Sequence, residues 1–421
     1  MKHFKTYLSF LGIALVFASC AKDELYNKET NNEELIDMVF TAHSNHPLSR
    51  TVLGADGETV TWQENDQIGI GYQYSNNNVT KPFKTPTAGS NVHFWGKAAD
   101  VTSSYFMMYP YQENARISYK TNLQAEYKFS FPKNQTATAG SFDPKANISV
   151  GVIPKRYEPF IAYNVGGLVR FTIKGTDKVK QVKLFAIGQD NLVGDITSTI
   201  SFKTNGQINK MQTKITNGTP VVNLVAENGG LKEETPYYIA LPEEKISKGI
   251  SIIFTLDDGK SIIKKVKQEI NIERAKVYDL GEIVLNPTSA KAFILKNKVL
   301  IDAVSEIITG FERYGNGDMN IYEGENFEKI LSFKGTLTIR NNDKLTTLDE
   351  LQYYRNVTGL DVQHNKNLAG EIDFNKYPQL TNYIVISFSP LVTKLDISGL
   401  KELKFLSAHH MDGLTEAKVG N

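Results

Sequence analysis

A single cysteine, Cys20, stands in a chain of 421 residues. No disulfide can therefore close within the chain, and its stability must come from packed cores. Tryptophan is scarce, at two residues, and no sign of charge is in excess. Lys and Arg number 47 against 46 Asp and Glu, a formal balance of +1. With no long basic run, that balance argues against nucleic acid as a partner. No apolar run beyond the N-terminal stretch is long enough to cross a bilayer. The chain lacks a phosphate-binding glycine loop and a Gly-x-Ser-x-Gly elbow, and no base is placed to activate a Ser or Thr. Metal-ligand spacing is poor. His43 and His46 lie in a polar segment, and the adjacent His409 and His410 are expected on opposite faces of a strand. These absences predict a non-enzymatic protein without cofactor or metal. What the chain has in quantity is 20 Tyr and 22 Phe, with frequent Thr, Val and Ile. That composition favours strands, and the length suffices for two to three cores.

The N-terminus reads as an export signal. Lys2, His3 and Lys5 precede an apolar stretch, Tyr7 to Phe17, too short to remain as a membrane helix. Phe17-Ala18-Ser19-Cys20 resembles a bacterial lipobox, in which the thiol receives a diacylglycerol with acyl chains such as palmitate. The expected mature protein starts at Cys20 and hangs from the outer membrane. Ala21-Lys22-Asp23-Glu24 resembles the surface-export signal of Bacteroidetes lipoproteins, and residues 20–37 read as a flexible tether.

From Met38 to Leu285, short strands alternate with Gly, Asn, Asp and Pro turns. Leu168 to Ile173 alternates apolar and polar cleanly, and Ile250 to Leu256 returns through Asp257-Asp258-Gly259-Lys260 as a hairpin. Asp257-Asp258-Gly259 is a turn here rather than a calcium loop. Trp62 is expected to anchor a core, and Pro110 and Pro132 to end strands. The predicted class is mainly β: antiparallel β-sandwiches over residues 38–160 and 161–286.

Several segments in order resemble Bacteroidetes fimbrillins and fimbrillin-like lipoproteins. They are Ser49-Arg50-Thr51, Val60-Thr61-Trp62 with Asn65 to Ile70, Phe94-Trp95-Gly96 and Met108-Tyr109-Pro110-Tyr111. Further on come Phe131 to Gln135, Ser141-Phe142-Asp143-Pro144, Gly167 to Phe171, Tyr237 to Pro242 and Ile272 to Leu280. The resemblance spans residues 38–286 and implies two transthyretin-like sandwiches in a surface pilus or a pilus-related adhesin. It also implies a cleavage site at Arg50. Pilus-forming fimbrillins are cut by an arginine-specific protease, and a strand from another subunit fills the vacated groove.

The remaining segment, 287–421, carries a different pattern. Leu337, Leu360, Tyr383 and Leu406 recur at a 23-residue step, followed two places on by Ile339, Val362, Val385 and Ala408. Leu345, Leu368, Leu391 and Leu414 fall eight places on, and Asn342, Asn365, Phe388 and Met411 five places on. This is L-x-L-x-x-N-x-x-L, a leucine-rich repeat of four turns. Asn at the fifth place should bond backbone groups at the corner; Phe388 and Met411 break that rule. Either apolar packing closes the later turns or the register slips by one, which would turn Ile384 and Ile386 inward. Val299 to Ile308 is expected to form a capping helix, with Phe327 to Phe333 beside it.

On the strict 23-residue register, the residues flanking the inward columns point outward: Thr338 and Arg340, Asp361 and Gln363, Ile384 and Ile386, Ser407 and His409. With Phe405, they form the candidate ligand-binding face, in which Ile384 and Ile386 supply an apolar patch. The leading expectation is a surface lipoprotein of the fimbrillin type, at a pilus tip, in an accessory position or as an adhesin. Its repeats would bind a host or bacterial surface protein or glycan. Two alternatives stay open: a polymerising stalk subunit activated by cleavage after Arg50, and a glycan-binding surface lipoprotein.

Overall fold

Alternating burial builds the first sheet. In the strand Ile36–Ala42, Met38, Phe40 and Ala42 turn inward while Asp37 faces solvent. The computed structural model of the chain describes residues 34–43, 52–53, 60–75, 77–227 and 229–420. Cys20, the export segment, most of the tether, His46 and Arg50 lie outside the described residues. Ile36–Ala42 is one edge of a seven-stranded antiparallel sheet. Next to it, in order, come Val92–Ala98, Asn77–Lys84, Gln67–Tyr74, Tyr105–Tyr109, Ser149–Ile153 and Tyr163–Asn164. Trp62 is buried as its anchor, edge-on to Phe94 at 5.0 Å and to Tyr109 at 5.1 Å.

A second core lies between three further sheets. One has five strands: Asn134–Thr136, Val221–Val225, Val179–Ala186, Ile250–Leu256 and Ser261–Val266. One has three: Tyr237–Pro242, Gly166–Lys174 and Val277–Val284. One has four: Ile208–Thr219, Val193–Phe202, Gln124–Phe131 and Arg116–Thr121. Phe171, Leu184, Ile196, Ile239 and Phe254 meet inside. The ladder from Gln124–Phe131 to Val193–Phe202 crosses the division drawn from sequence at residue 160. The hairpin at Asp257–Lys260 forms, with Gly259 at φ +78° and the Leu256 amide donating to the Lys260 carbonyl.

The C-terminal segment is a stack of turns. Gly335–Thr338, Val357–Asp361, Tyr383–Val385 and Phe405–Ser407 pair in parallel, one per turn. A second parallel ladder joins Ala369–Asp373, Leu391–Asp396 and Glu416–Lys418. Two helices, Lys298–Ser305 and Asn326–Ser332, cover the first turn, burying Leu300, Ile301, Val304, Phe327, Ile330 and Leu331 against Leu337 and Leu360. The first helix begins where Asn297 Oδ1 accepts the Leu300 amide at 3.3 Å.

This covering layer docks on the five-stranded sheet. Lys183 is fully buried, and its ammonium donates to Glu328 Oε1 (3.2 Å), Asn223 Oδ1 (3.1 Å) and the Gly324 carbonyl (2.6 Å). Asn223 Nδ2 in turn donates to Glu328 Oε1 at 2.7 Å. All three ammonium protons are thus engaged. Burial pushes the Lys183 pKa down, and the Glu328 carboxylate opposes that shift. Phe185 meets Phe327 edge-on at 5.2 Å, and Lys133–Glu325 (2.7 Å) and Lys180–Glu323 (2.9 Å) flank the joint.

Candidate ligand-binding face

Strand pairing fixes which side chains of the stack face out. Leu337 pairs with Leu360 at a step of 23, Leu360 with Ile384 at 24, and Ile384 with Leu406 at 22. The register slips by one residue in the third turn and recovers in the fourth. Ile384 and Ile386 are therefore inward and fully buried, and the outward apolar patch expected there does not exist. Tyr383 and Val385 lose their inward places to them and are half-buried.

The slip reassigns the corner as well. Val392, not Leu391, fills the inward column beside Leu368, and Leu391 is 51% exposed. The position equivalent to Asn365 is Ser389, not Phe388. Asn365 Nδ2 donates to the carbonyls of Ile339 (2.8 Å) and Val362 (2.7 Å), and its Oδ1 accepts the Asn342 amide at 2.9 Å. Ser389 is buried and its hydroxyl has no partner; Met411 is buried and apolar.

Of the remaining candidates, Thr338, Arg340, Phe405 and His409 are exposed, Gln363 and Ser407 are half-buried, and Asp361 is buried. Arg340 pairs with Asp361, its Nε donating at 2.9 Å, and Gln363 Nε2 reaches the same carboxylate at 3.2 Å. That carboxylate holds the Arg340 guanidinium pKa above its ordinary value. These three side chains satisfy one another. The outward face gathers Thr338, Arg340, Asp361 and Gln363 in the first two turns; Phe405, Ser407 and His409 lie in the fourth.

One place further round, the sequence reading missed a column. Asn341, His364, Phe388 and His410 occupy the same corner of successive turns, and all four are left-handed, at φ 54°, 60°, 60° and 51°. Non-glycine residues adopt that conformation at a cost of about 1 kcal/mol each. The left-handed turn at His410 ends strand alternation, so His409 and His410 do not oppose one another. His364 stacks on Phe388 at 4.1 Å and 9°, and His410 stacks on Phe388 at 4.6 Å and 15°. His409 meets Phe388 edge-on at 5.0 Å. Two residues along each turn, Asp343, Lys366, Pro390 and Asp412 make a second column. Between the columns runs a trough of about 470 Å³, within the usual range for ligand pockets. The recurring polar or aromatic residue before the fifth place was the available signal, but the slip hid its alignment.

No family model matches the chain. A search of curated proteins finds no match. Among solved structures, a candidate cell adhesion protein of Bacteroides ovatus aligns with 62% of this chain and 95% of its own, at 12% identity and a TM-score of 0.37. A tip fimbrial protein of Porphyromonas gingivalis with C-terminal truncation aligns over 61% and 97%, at 8% identity and a TM-score of 0.30. A leucine-rich repeat protein of Bacteroides thetaiotaomicron covers 90% of this chain and 55% of its own, at 8% identity and a TM-score of 0.17.

Proposed function

We propose that the chain is a fimbrillin-type cell-surface lipoprotein, anchored through Cys20, whose C-terminal repeat segment binds a ligand. In this reading residues 38–286 are the pilus-related part, at a tip, in an accessory position or as a free-standing adhesin. The repeats present the binding surface, and the chain has no enzymatic role. The ordered series of fimbrillin-like segments supports the first part. Trp62, Phe94 and Tyr109, which belong to three of those segments, meet in one aromatic cluster. The observation that carries the second part is the trough in the stack, lined by side chains of all four turns.

Electron microscopy with antibody to residues 290–420 tests it on intact cells. Label at fibre ends or on the bare surface is the expected result; label along fibres would overturn the terminal placement. Adherence should also disappear when residues 287–420 are deleted, provided the remainder is still displayed.

A polymerising stalk subunit is the second reading, favoured by one observation. Ile36–Ala42 precedes Arg50, lies at a sheet edge, and buries Met38, Phe40 and Ala42. Cutting after Arg50 would release that strand and leave Phe83, Phe94 and Phe160 facing an open groove. Multimer ladders after arginine-protease treatment that vanish in Arg50→Ala would support this reading; an Arg50→Ala chain that still assembles would remove it.

A further inference from the structure

We infer that the trough along the corner of the stack is a binding site for a neutral oligosaccharide. The inference rests on the reading of the C-terminal segment as the ligand-binding part, and it names the ligand class. Three features carry it. The first is the exhausted backbone. The amides of Asn341, His364 and Phe388 donate to the carbonyls of Gln363, Ser387 and His409 at 3.3, 3.0 and 3.0 Å. Three of the four amides of the column are thus already engaged along the stack, so a guest lying across the turns must be held mainly by side chains, which disfavours an extended peptide.

The second is the kind of side chain. Asp343 and Asp412 only accept hydrogen bonds, Lys366 only donates, and Asn341 and the imidazoles do both. Ligand hydroxyls, each a donor and an acceptor, suit that mixture. Two carboxylates against one ammonium disfavour sulfated or phosphorylated chains. The third is the ring column. Imidazoles cover both faces of Phe388 and His409 stands at its edge, so no open ring face is left for a flat aromatic guest, and the column serves as a partly apolar wall beside Pro390. The same column argues against a metal site. Phe388 separates His364 from His410, and no single ion reaches both at zinc–nitrogen bonds of about 2.0 Å. The described residues contain no cluster of three metal-ligating side chains. Asp343 and Asp412 stand three turns apart, about 14 Å at the spacing of adjacent strands, so the trough fits several linked sugars rather than one.

The test uses the purified full-length chain on a printed array of di- to hexasaccharides of glucose, mannose, xylose, galactose and N-acetylglucosamine, with sulfated counterparts. The expected result is retention of at least one neutral series, lengthening with chain length. Calorimetry should show the affinity reduced at least tenfold in the double variant Asp343→Asn/Asp412→Asn. Both residues are exposed, so an unchanged melting temperature is expected and certifies the fold. Phe388→Ala should weaken binding independently. Binding to no neutral oligosaccharide, preference for the sulfated series, or a double variant that binds like the parent would each overturn the inference. Adherence separates the two readings. If deleting 287–420 abolishes adherence but the double aspartate variant keeps it, the adhesive reading stands and the trough inference falls. If the trough binds sugar and the deletion leaves adherence intact, the reverse holds.

Discussion

The two halves of the stack keep one coil by different means. In the first two turns the corner is tied by directional bonds: Asn365 joins three backbone groups across adjacent turns, and Lys183 and Glu328 fix the covering helix to the sheet. In the last two turns the same positions are Ser389, whose hydroxyl is unpaired, and Met411, which has nothing to bond. There, stacked rings and buried aliphatics fill the corner, and the side-chain tie between the turns is Ser387 Oγ, which accepts the His409 amide at 3.2 Å. Directional bonds specify register tightly but tolerate no loss of a partner. Contact area specifies it loosely, and it is in the third turn, at the border, that the step departs from 23.

Breaking the near half should cost most. Lys183→Met leaves the buried Glu328 carboxylate without its counter-charge, with Asn223 as its remaining partner, and urea unfolding should show a loss of about 3–5 kcal/mol. Lys183→Met combined with Glu328→Leu should recover most of it; a double variant as unstable as the single one would mean the joint depends on more than charge. Asn365→Ala should cost about 3 kcal/mol, because it leaves backbone groups of the corner unpaired, whereas Ser389→Ala should lie within about 0.5 kcal/mol of the parent. Equal costs at these two positions would abolish the contrast between the halves. Phe388→Ala removes two stacked contacts, each worth about 0.5–1.5 kcal/mol, and thermal unfolding should register a loss of about 1–3 kcal/mol.

Alkali gives a finer probe. Tyr377 is buried, donates to the Leu348 carbonyl at 2.9 Å, and burial pushes its pKa up to about 12. Between the ordinary tyrosine value of about 10 and that figure, the unfolded chain has released a proton that the folded chain keeps. Stability should therefore fall as pH rises through this window, and Tyr377→Phe should flatten the fall. A small effect of opposite sign belongs to Tyr354, buried in the near half with an unpaired hydroxyl. Tyr354→Phe should be neutral or stabilising by up to about 1 kcal/mol; a clear loss would reveal a partner for that hydroxyl.

Much of this arrangement was legible in the residues. Alternation marked the strands, and Leu337, Leu360 and Leu406 marked three of the four turns. The third turn misled because one extra residue before Ile384 is cancelled by one fewer after it. The outer columns stay in phase while the middle one shifts, and a pleat shifted by one exchanges inside for outside. Isoleucines assigned to a binding face thus became core. The pairing of Gln124–Phe131 with Val193–Phe202 was illegible for another reason: alternation reveals a strand but not its distant neighbour. Lys183 sits between Val182 and Leu184, where alternation alone would put it on the wet side of a strand. Only the helix lying across that side makes it an interior charge. The ring column needed a left-handed backbone at His364, Phe388 and His410; histidine tolerates that region better than most residues, but the slip kept Phe388 out of line with the two imidazoles.

The joint at Lys183 has a mechanical corollary. Tension applied to the last turn would pass from turn to turn through the parallel ladders and reach the sheet at a place where an ammonium, a carboxylate and two aromatic rings must all separate together. Rupture would then start not at the root but among the last turns, where no asparagine crosses the corner. The far end would peel first and leave the root attached.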